Sequence, residues 1–92
     1  MAGIAWSQDA PRFILSPNPA NQQVQISVQS GQTETLKVEF YTIIGNNVKT
    51  LQSVAEGGKL QINTSTLAEG VYLVRISSSG HTFTERLKIQ HQ

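Results

Sequence analysis

Alternation with a period of two runs through most of this chain and limits what it can fold into. Val24, Ile26 and Val28 alternate with Gln25, Ser27 and Gln29, and Leu36, Val38 and Phe40 alternate with Lys37, Glu39 and Tyr41. Leu60 and Ile62 flank Gln61, and Tyr72, Val74 and Ile76 share one parity. Phe83, Leu87 and Ile89 share another, with Thr84, Arg86 and Lys88 facing away. Successive side chains of a strand point to opposite faces, so this is the pattern of strands with one buried face. No segment keeps helical spacing over a helical length, so almost no helix is expected.

Turn-forming residues fall between these runs. Pro17 and Pro19 end a first short strand, because proline cannot donate to a central ladder. Ser30-Gly31-Gln32, Gly45-Asn46-Asn47, Glu56-Gly57-Gly58 and Ser77-Ser78-Ser79-Gly80 separate the others, and the Gly45 cluster can supply the positive φ of a tight hairpin. Strands are therefore expected near 12–15, 23–29, 35–43, 47–54, 59–63, 71–78 and 81–90. Such regular spacing predicts an all-β fold, an Ig-like seven-stranded antiparallel β-sandwich. Its expected core holds Val24, Ile26, Val28, Val38, Phe40, Ile62, Tyr72, Val74, Ile76, Leu87 and Ile89. Val48 and Leu51 have opposite parity, which predicts a bulge or break between them. Glu85 shares parity with Phe83 and Leu87, so it is expected near an edge or reaching Arg75 or Arg86.

The 92 residues suit one domain, with residues 1–11 as linker or remnant carrying Trp6 and residues 12–92 as the sandwich. A domain of this size buries only about 60–65% of its unfolded surface, so its stability margin is thin. Without cysteine it has no disulfide and no thiolate metal site, and stability must come from packing and pairing. Four Lys and three Arg stand against one Asp and five Glu, with no basic stripe interleaved with aromatics, so nucleic acid is a poor partner. No apolar run approaches the roughly 18 residues of a membrane span. The N-terminus lacks the basic start and apolar core of an export signal.

Catalysis has little to work with. The only Asp is Asp9, in the expected linker, while His81 and His91 fall in a turn and at the terminus, where solvated histidines are expected. No Ser/His/Asp set, phosphate loop or metal-ligand cluster can be assembled. The reading is non-enzymatic, with no cofactor, no metal and no catalytic residue. Asn63-Thr64-Ser65 fits a glycosylation sequon, but such tripeptides occur often by chance, and capping of a strand end also accounts for Asn63.

Two phrases carry more. In Leu67-x-x-Gly70-x-Tyr72, a tyrosine at the entrance of the sixth strand fits a tyrosine corner, its hydroxyl bonding to backbone a few residues upstream. Gly70 would supply a φ that other residues resist. Pro17-Asn18-Pro19 is a stiff bend, read either as an edge-protecting kink or as an exposed epitope.

Order and spacing give these phrases a further meaning. Leu15-Ser16-Pro17-Asn18-Pro19-Ala20 followed by Val24-Gln25-Ile26-Ser27-Val28, the strand-Gly-Val segment Val38 to Val48, Leu67 to Ile76 with Gly80 beyond, and the closing Glu85 to Gln90 stand in one succession. Together they resemble the type A C-terminal sorting domain of the type IX secretion system of Bacteroidetes, over roughly residues 12–90. Asn46 stands where a basic residue often follows the glycine, and His91-Gln92 extends past the usual end.

The resemblance implies that such a chain directs a preceding cargo protein through the periplasm and across the outer membrane to the surface or medium. Outer-membrane translocon, shuttle and sortase proteins would be its partners. The sortase would cut in or upstream of residues 1–12. Translocon recognition by resemblance falls on Pro17, Asn18, Pro19, Gly70, Tyr72, Arg86, Lys88 and Ile89, the last strand acting through strand addition at an open edge. Edge strands also leave self-association open. The rival reading is an Ig- or fibronectin-like module that binds carbohydrate or protein, with Trp6 and Tyr41 as its candidate stacking aromatics.

Overall fold

A computed structural model describes residues 13–91. These form seven strands: β1 (Phe13–Ser16), β2 (Gln23–Val28), β3 (Glu34–Thr42), β4 (Asn47–Ala55), β5 (Lys59–Asn63), β6 (Gly70–Ser78) and β7 (His81–Ile89). The expected boundaries differ from these by no more than one residue at either end of each strand. The proposed linker, with Trp6 and Asp9, lies outside the described residues.

Two antiparallel sheets pack face to face, one of three strands in the order β1-β2-β5 and one of four in the order β4-β3-β6-β7. Strands β2 and β3, β4 and β5, and β5 and β6 are joined across the sandwich, as in Ig-like sandwiches. Every expected core residue is buried, and Phe13, Leu15, Ala20, Leu36, Ala55, Leu60 and Leu67 join them. The core is thus the set of inward parities that the alternation marks, completed by residues from short or irregular segments.

No bulge lies between Val48 and Leu51, where the register from Lys49 onward is unbroken: Val48 faces outward and Leu51 inward, and the irregularity sits at Val48 itself. Phe40 pairs with Lys49 and Tyr41 with Asn47, so Val48 is the extra residue and turns outward. The Asn47 side-chain amide donates to the Phe40 carbonyl at 3.3 Å, serving a group that the irregularity exposes. In the preceding turn only Gly45 takes a positive φ, 97°, while Thr42 and Asn46 close the loop through a backbone bond of 2.8 Å.

Glu85 meets the first of its two expected placements and not the second. It lies on the edge strand β7 and is solvated, but neither Arg75 nor Arg86 reaches it. The reason is parity: both arginines project from the outer sheet face, and Glu85 from the inner one. Arg75 instead meets Glu39 at 3.8 Å, the one ion pair among the described residues.

At the end of the sandwich where Val28 leaves β2, two crossings meet. Val28 N–H donates to Gly58 O at 2.6 Å, and Gly57 N–H donates to Thr33 Oγ1 at 2.9 Å. A Cβ on Gly58, whose φ is +81°, would lie 2.7 Å from the Gly31 Cα. Two backbones therefore touch where no side chain fits. Gly45 offers a control, since its φ is +97° but nothing lies within 4 Å of an added Cβ. Gly58→Ala is expected to lower unfolding free energy by about 3 kcal/mol and Gly45→Ala by about 1 kcal/mol, read from urea titrations.

Candidate recognition site

The residues singled out by the sequence converge at the opposite end of the sandwich, although they come from both ends of the chain. The segment between β1 and β2 leaves the three-stranded sheet, turns through Pro17 and Pro19 and lies along the outer edge of β7. Asn18 Nδ2 donates to Arg86 O at 3.2 Å, and Lys88 N–H donates to Asn18 Oδ1 at 3.0 Å. Ala20 N–H donates to Lys88 O and Gln90 N–H donates to Ala20 O, both at 2.8 Å. Ala20 and Ile89 form a parallel bridge, and both are buried. Between two prolines, which have no N–H, the Asn18 amide supplies both a donor and an acceptor to the strand. This strap corrects the expectation of an open terminal edge: Arg86 O, Lys88 N–H, Lys88 O and Gln90 N–H, all on the outward side, are already paired.

The tyrosine corner is formed. Tyr72 is buried, and its hydroxyl donates to Ala68 O at 2.5 Å. Gly70 has a φ of +153° with no atom within 4 Å of an added Cβ, so its requirement is conformational and not one of space. In the β6–β7 ladder Gly70 faces Ile89 and Tyr72 faces Leu87, which places this corner directly behind the strap.

The loop between β5 and β6 locks the same region. Thr64 is fully buried, its N–H donating to Gln22 O at 2.8 Å and its hydroxyl to Asn21 O at 3.1 Å. Asn63 Oδ1 accepts from Ser65 N–H at 2.8 Å and from the Ser65 hydroxyl at 2.6 Å, the geometry of a capping turn at a strand end. His91 corrects the expectation of a solvated terminal histidine. Its Nε2 lies 2.7 Å from Leu67 O and its Nδ1 3.0 Å from Asn21 Oδ1, while its N–H donates to Glu69 at 3.1 Å. A carbonyl can only accept, so Nε2 carries a proton. No local sequence signal marks this role, because Asn21 and Leu67 are brought to the ring only by the fold.

Of the eight residues marked by resemblance, six are exposed and two are buried. Pro17, Asn18, Pro19, Arg86 and Lys88 face solvent. Tyr72 and Ile89 are buried, and Gly70 is exposed but serves through its backbone. Among the described residues there is no cluster of His, Cys, Asp and Glu that could hold a metal, and no helix long and apolar enough to cross a membrane.

A sandwich whose first loop straps its last strand, with a tyrosine corner behind the contact, is the setting for comparison with known proteins. The sequence matches the family described as the secretion system C-terminal sorting domain over residues 15–90. The chain belongs to this family, the C-terminal sorting domains of type IX secretion. It is therefore a sorting signal, of a family that is not an enzyme family, and it marks a protein exported through the outer membrane to the surface or medium. No curated protein matches the sequence significantly. Among solved structures, the crystal structure of dimeric latent PorU from Porphyromonas gingivalis is similar, with a TM-score of 0.64 and 20% identity. The match covers 89% of this chain but only 9% of that one, and at this identity the likeness concerns the fold.

Beyond the strap, on the outer face of the four-stranded sheet, Tyr41 donates its hydroxyl to Glu39 at 3.0 Å, and the Arg75 guanidinium lies 5.8 Å from its ring centroid. The hydrogen bond to Glu39 holds the Tyr41 phenol above its ordinary pKa, reinforced by desolvation and the Glu39 charge and opposed by Arg75. A raised folded-state pKa means that this contact stabilises the fold below the ordinary tyrosine range and loses its contribution as pH rises through the raised value. Glu39→Gln is expected to bring the Tyr41 titration down toward its ordinary value, followed by phenolate absorbance in a Tyr72→Phe background.

Two substitutions separate the corner from the strap. Tyr72→Phe leaves Ala68 O without its phenol donor and is expected to cost about 1–2 kcal/mol in urea unfolding. Asn18→Ala is expected to cost about 1 kcal/mol and to speed hydrogen exchange at the Lys88 amide far more than at Gln90, whose partner is Ala20 O.

Proposed function

We propose that this domain directs a preceding cargo through the type IX translocon by presenting one composite surface, and that a surface sortase then removes it upstream of β1. The observation that carries the reading is the convergence of motifs from both ends of the sequence, joined by the Asn18 amide on Arg86 and Lys88. The exposed members, Pro17, Asn18, Pro19, Arg86 and Lys88, are the contact residues in this reading. Gly70, Tyr72 and Ile89 hold them in place. Because the strap covers the C-terminal half of the β7 edge, the partner reads this filled corner and its charges, and adds no strand over Arg86 to Gln90. Shuttle proteins on the way to the surface are part of the same proposal, and membership of the family is what supports them.

The rival sugar-binding reading loses support at Tyr41, because its hydroxyl is committed to Glu39 and one ring face to Arg75. Trp6 lies outside the described residues.

A fluorescent reporter with a periplasmic signal peptide and residues 12–92 at its C-terminus tests the proposal, in a Bacteroidetes host with and without a working translocon. Surface or medium reporter in the competent host alone is expected. Retention in the periplasm of both hosts, with the domain folded, would sink the sorting reading. Arg86→Ala with Lys88→Ala is expected to reduce export by about tenfold without changing thermal stability, whereas Tyr72→Phe should reduce both together. Normal export of the Arg86, Lys88 double variant would remove these side chains from the contact.

A further inference from the structure

The outer face of the four-stranded sheet and the turn after β3 leave several large apolar side chains exposed. Val71 and Leu73 project from β6 at 38% exposure each, and Ile43 and Ile44, in the turn after β3, are 70% and 80% exposed. Tyr41 faces Leu73 across the β3–β6 ladder. Between Tyr41, Ile43, Leu73, Arg75 and Thr84 lies a groove of about 330 Å³. Exposed apolar side chains that share a groove, as Tyr41, Ile43 and Leu73 do, are a common feature of contact sites.

The charges around it restrict the occupant. Arg86 faces Leu73 and Lys88 faces Val71 across the β6–β7 ladder, and both cations are exposed. Neither makes an ion pair among the described residues. Glu39 is the one carboxylate that the four strands place on this face, and it is held by Arg75 and the Tyr41 hydroxyl. With Lys37 on β3, the face carries four cations and one committed carboxylate, and Arg75, Arg86 and Lys88 lie around the groove. A second copy of this chain fits poorly, because a twofold contact sets like patches against each other and would bring these cations together. A sugar fits poorly for the reason given at Tyr41.

The geometry points to this face as the binding site for an extended, apolar segment of a protein partner flanked by acidic residues. Its apolar side chains occupy the groove beside Tyr41, Ile43 and Leu73, and its carboxylates meet Arg86 and Lys88. The inference rests on the sorting reading and deepens it: it names the chemistry of the partner and adds Tyr41, Ile43 and Leu73, to which the resemblance assigns no recognition role. Arg86 and Lys88 belong both to the strap, through their backbones, and to this face, through their side chains, so one partner can engage the two surfaces together.

Two synthetic decapeptides with the same valine-rich centre, one flanked by glutamates and one by lysines, test it against the isotope-labelled chain by NMR. The glutamate peptide is expected to shift the amides of Tyr41, Ile43, Leu73 and Arg86 and to bind about tenfold tighter than the lysine peptide. Both effects should vanish in Leu73→Asp and weaken in Ile43→Ser, the second substitution sitting in a turn where the fold is not at stake. Equal affinity for the two peptides, or shifts confined to another face, would overturn the inference. So would a dimer dissolved by Leu73→Asp, or binding to phosphatidylglycerol vesicles lost in that variant, each of which assigns the face to another occupant. In the reporter assay, loss of export in both variants with the fold intact is the expected result. Normal export of both, beside an exported unmodified chain, overturns this inference alone, whereas failure of the unmodified chain overturns the sorting reading beneath it.

Discussion

The strap from Pro17 to Ala20 is the contact on which the rest of the corner depends. An edge strand presents outward N–H and C=O groups that invite pairing with any extended chain. Here Arg86 O, Lys88 N–H, Lys88 O and Gln90 N–H are paired by Asn18 and Ala20. The strap also ties the sheets together, since β1 belongs to the three-stranded sheet and β7 to the four-stranded one. Asparagine suits the central position because its amide offers a donor and an acceptor at once, where the flanking prolines can offer no N–H.

Behind the strap sits a polar cluster that would be costly if any member lost its partner. Thr64, Tyr72 and His91 bond to the backbone of Asn21, Ala68 and Leu67, and no buried side-chain polar atom among the described residues lacks a partner. In a low-dielectric interior such satisfied groups fix one arrangement, because each alternative strands a donor or an acceptor. The loop from Thr64 to Glu69 thus holds the tyrosine corner, the C-terminal residues and the first loop in one geometry. Buried residues of the sorting motif set this frame, and exposed ones carry the charge that a partner can read.

This division explains why motif residues need not be contact residues. Ile89 contributes a side chain that is fully buried, and Gly70 contributes a backbone angle. Their replacement would disturb recognition through the fold. Conversely, Leu73 and Ile43 lie within the motif phrases yet were not among the residues marked for recognition, because exposure of a hydrophobic residue depends on which face the opposing sheet covers.

Fold class, strand limits and the tyrosine corner were legible in the sequence because each follows from local rules: a period of two, turn chemistry and the parity of neighbours. The inward parities of β2, β3 and β6 named most of the core for the same reason. Other features had no local signal. The ring of His91 meets Asn21 and Leu67, Asn18 meets Arg86 and Lys88, and Gly58 meets Gly31, all through separations that only packing closes. Glu85 shows the same limit from the other side: its parity points inward, and only its place on an edge strand leaves it in water. By itself the sequence determined which side of each strand is apolar and where the chain turns, since those depend on near neighbours. Tertiary structure decided which strand edge is sealed and which apolar face stays open, because both depend on what another part of the chain covers.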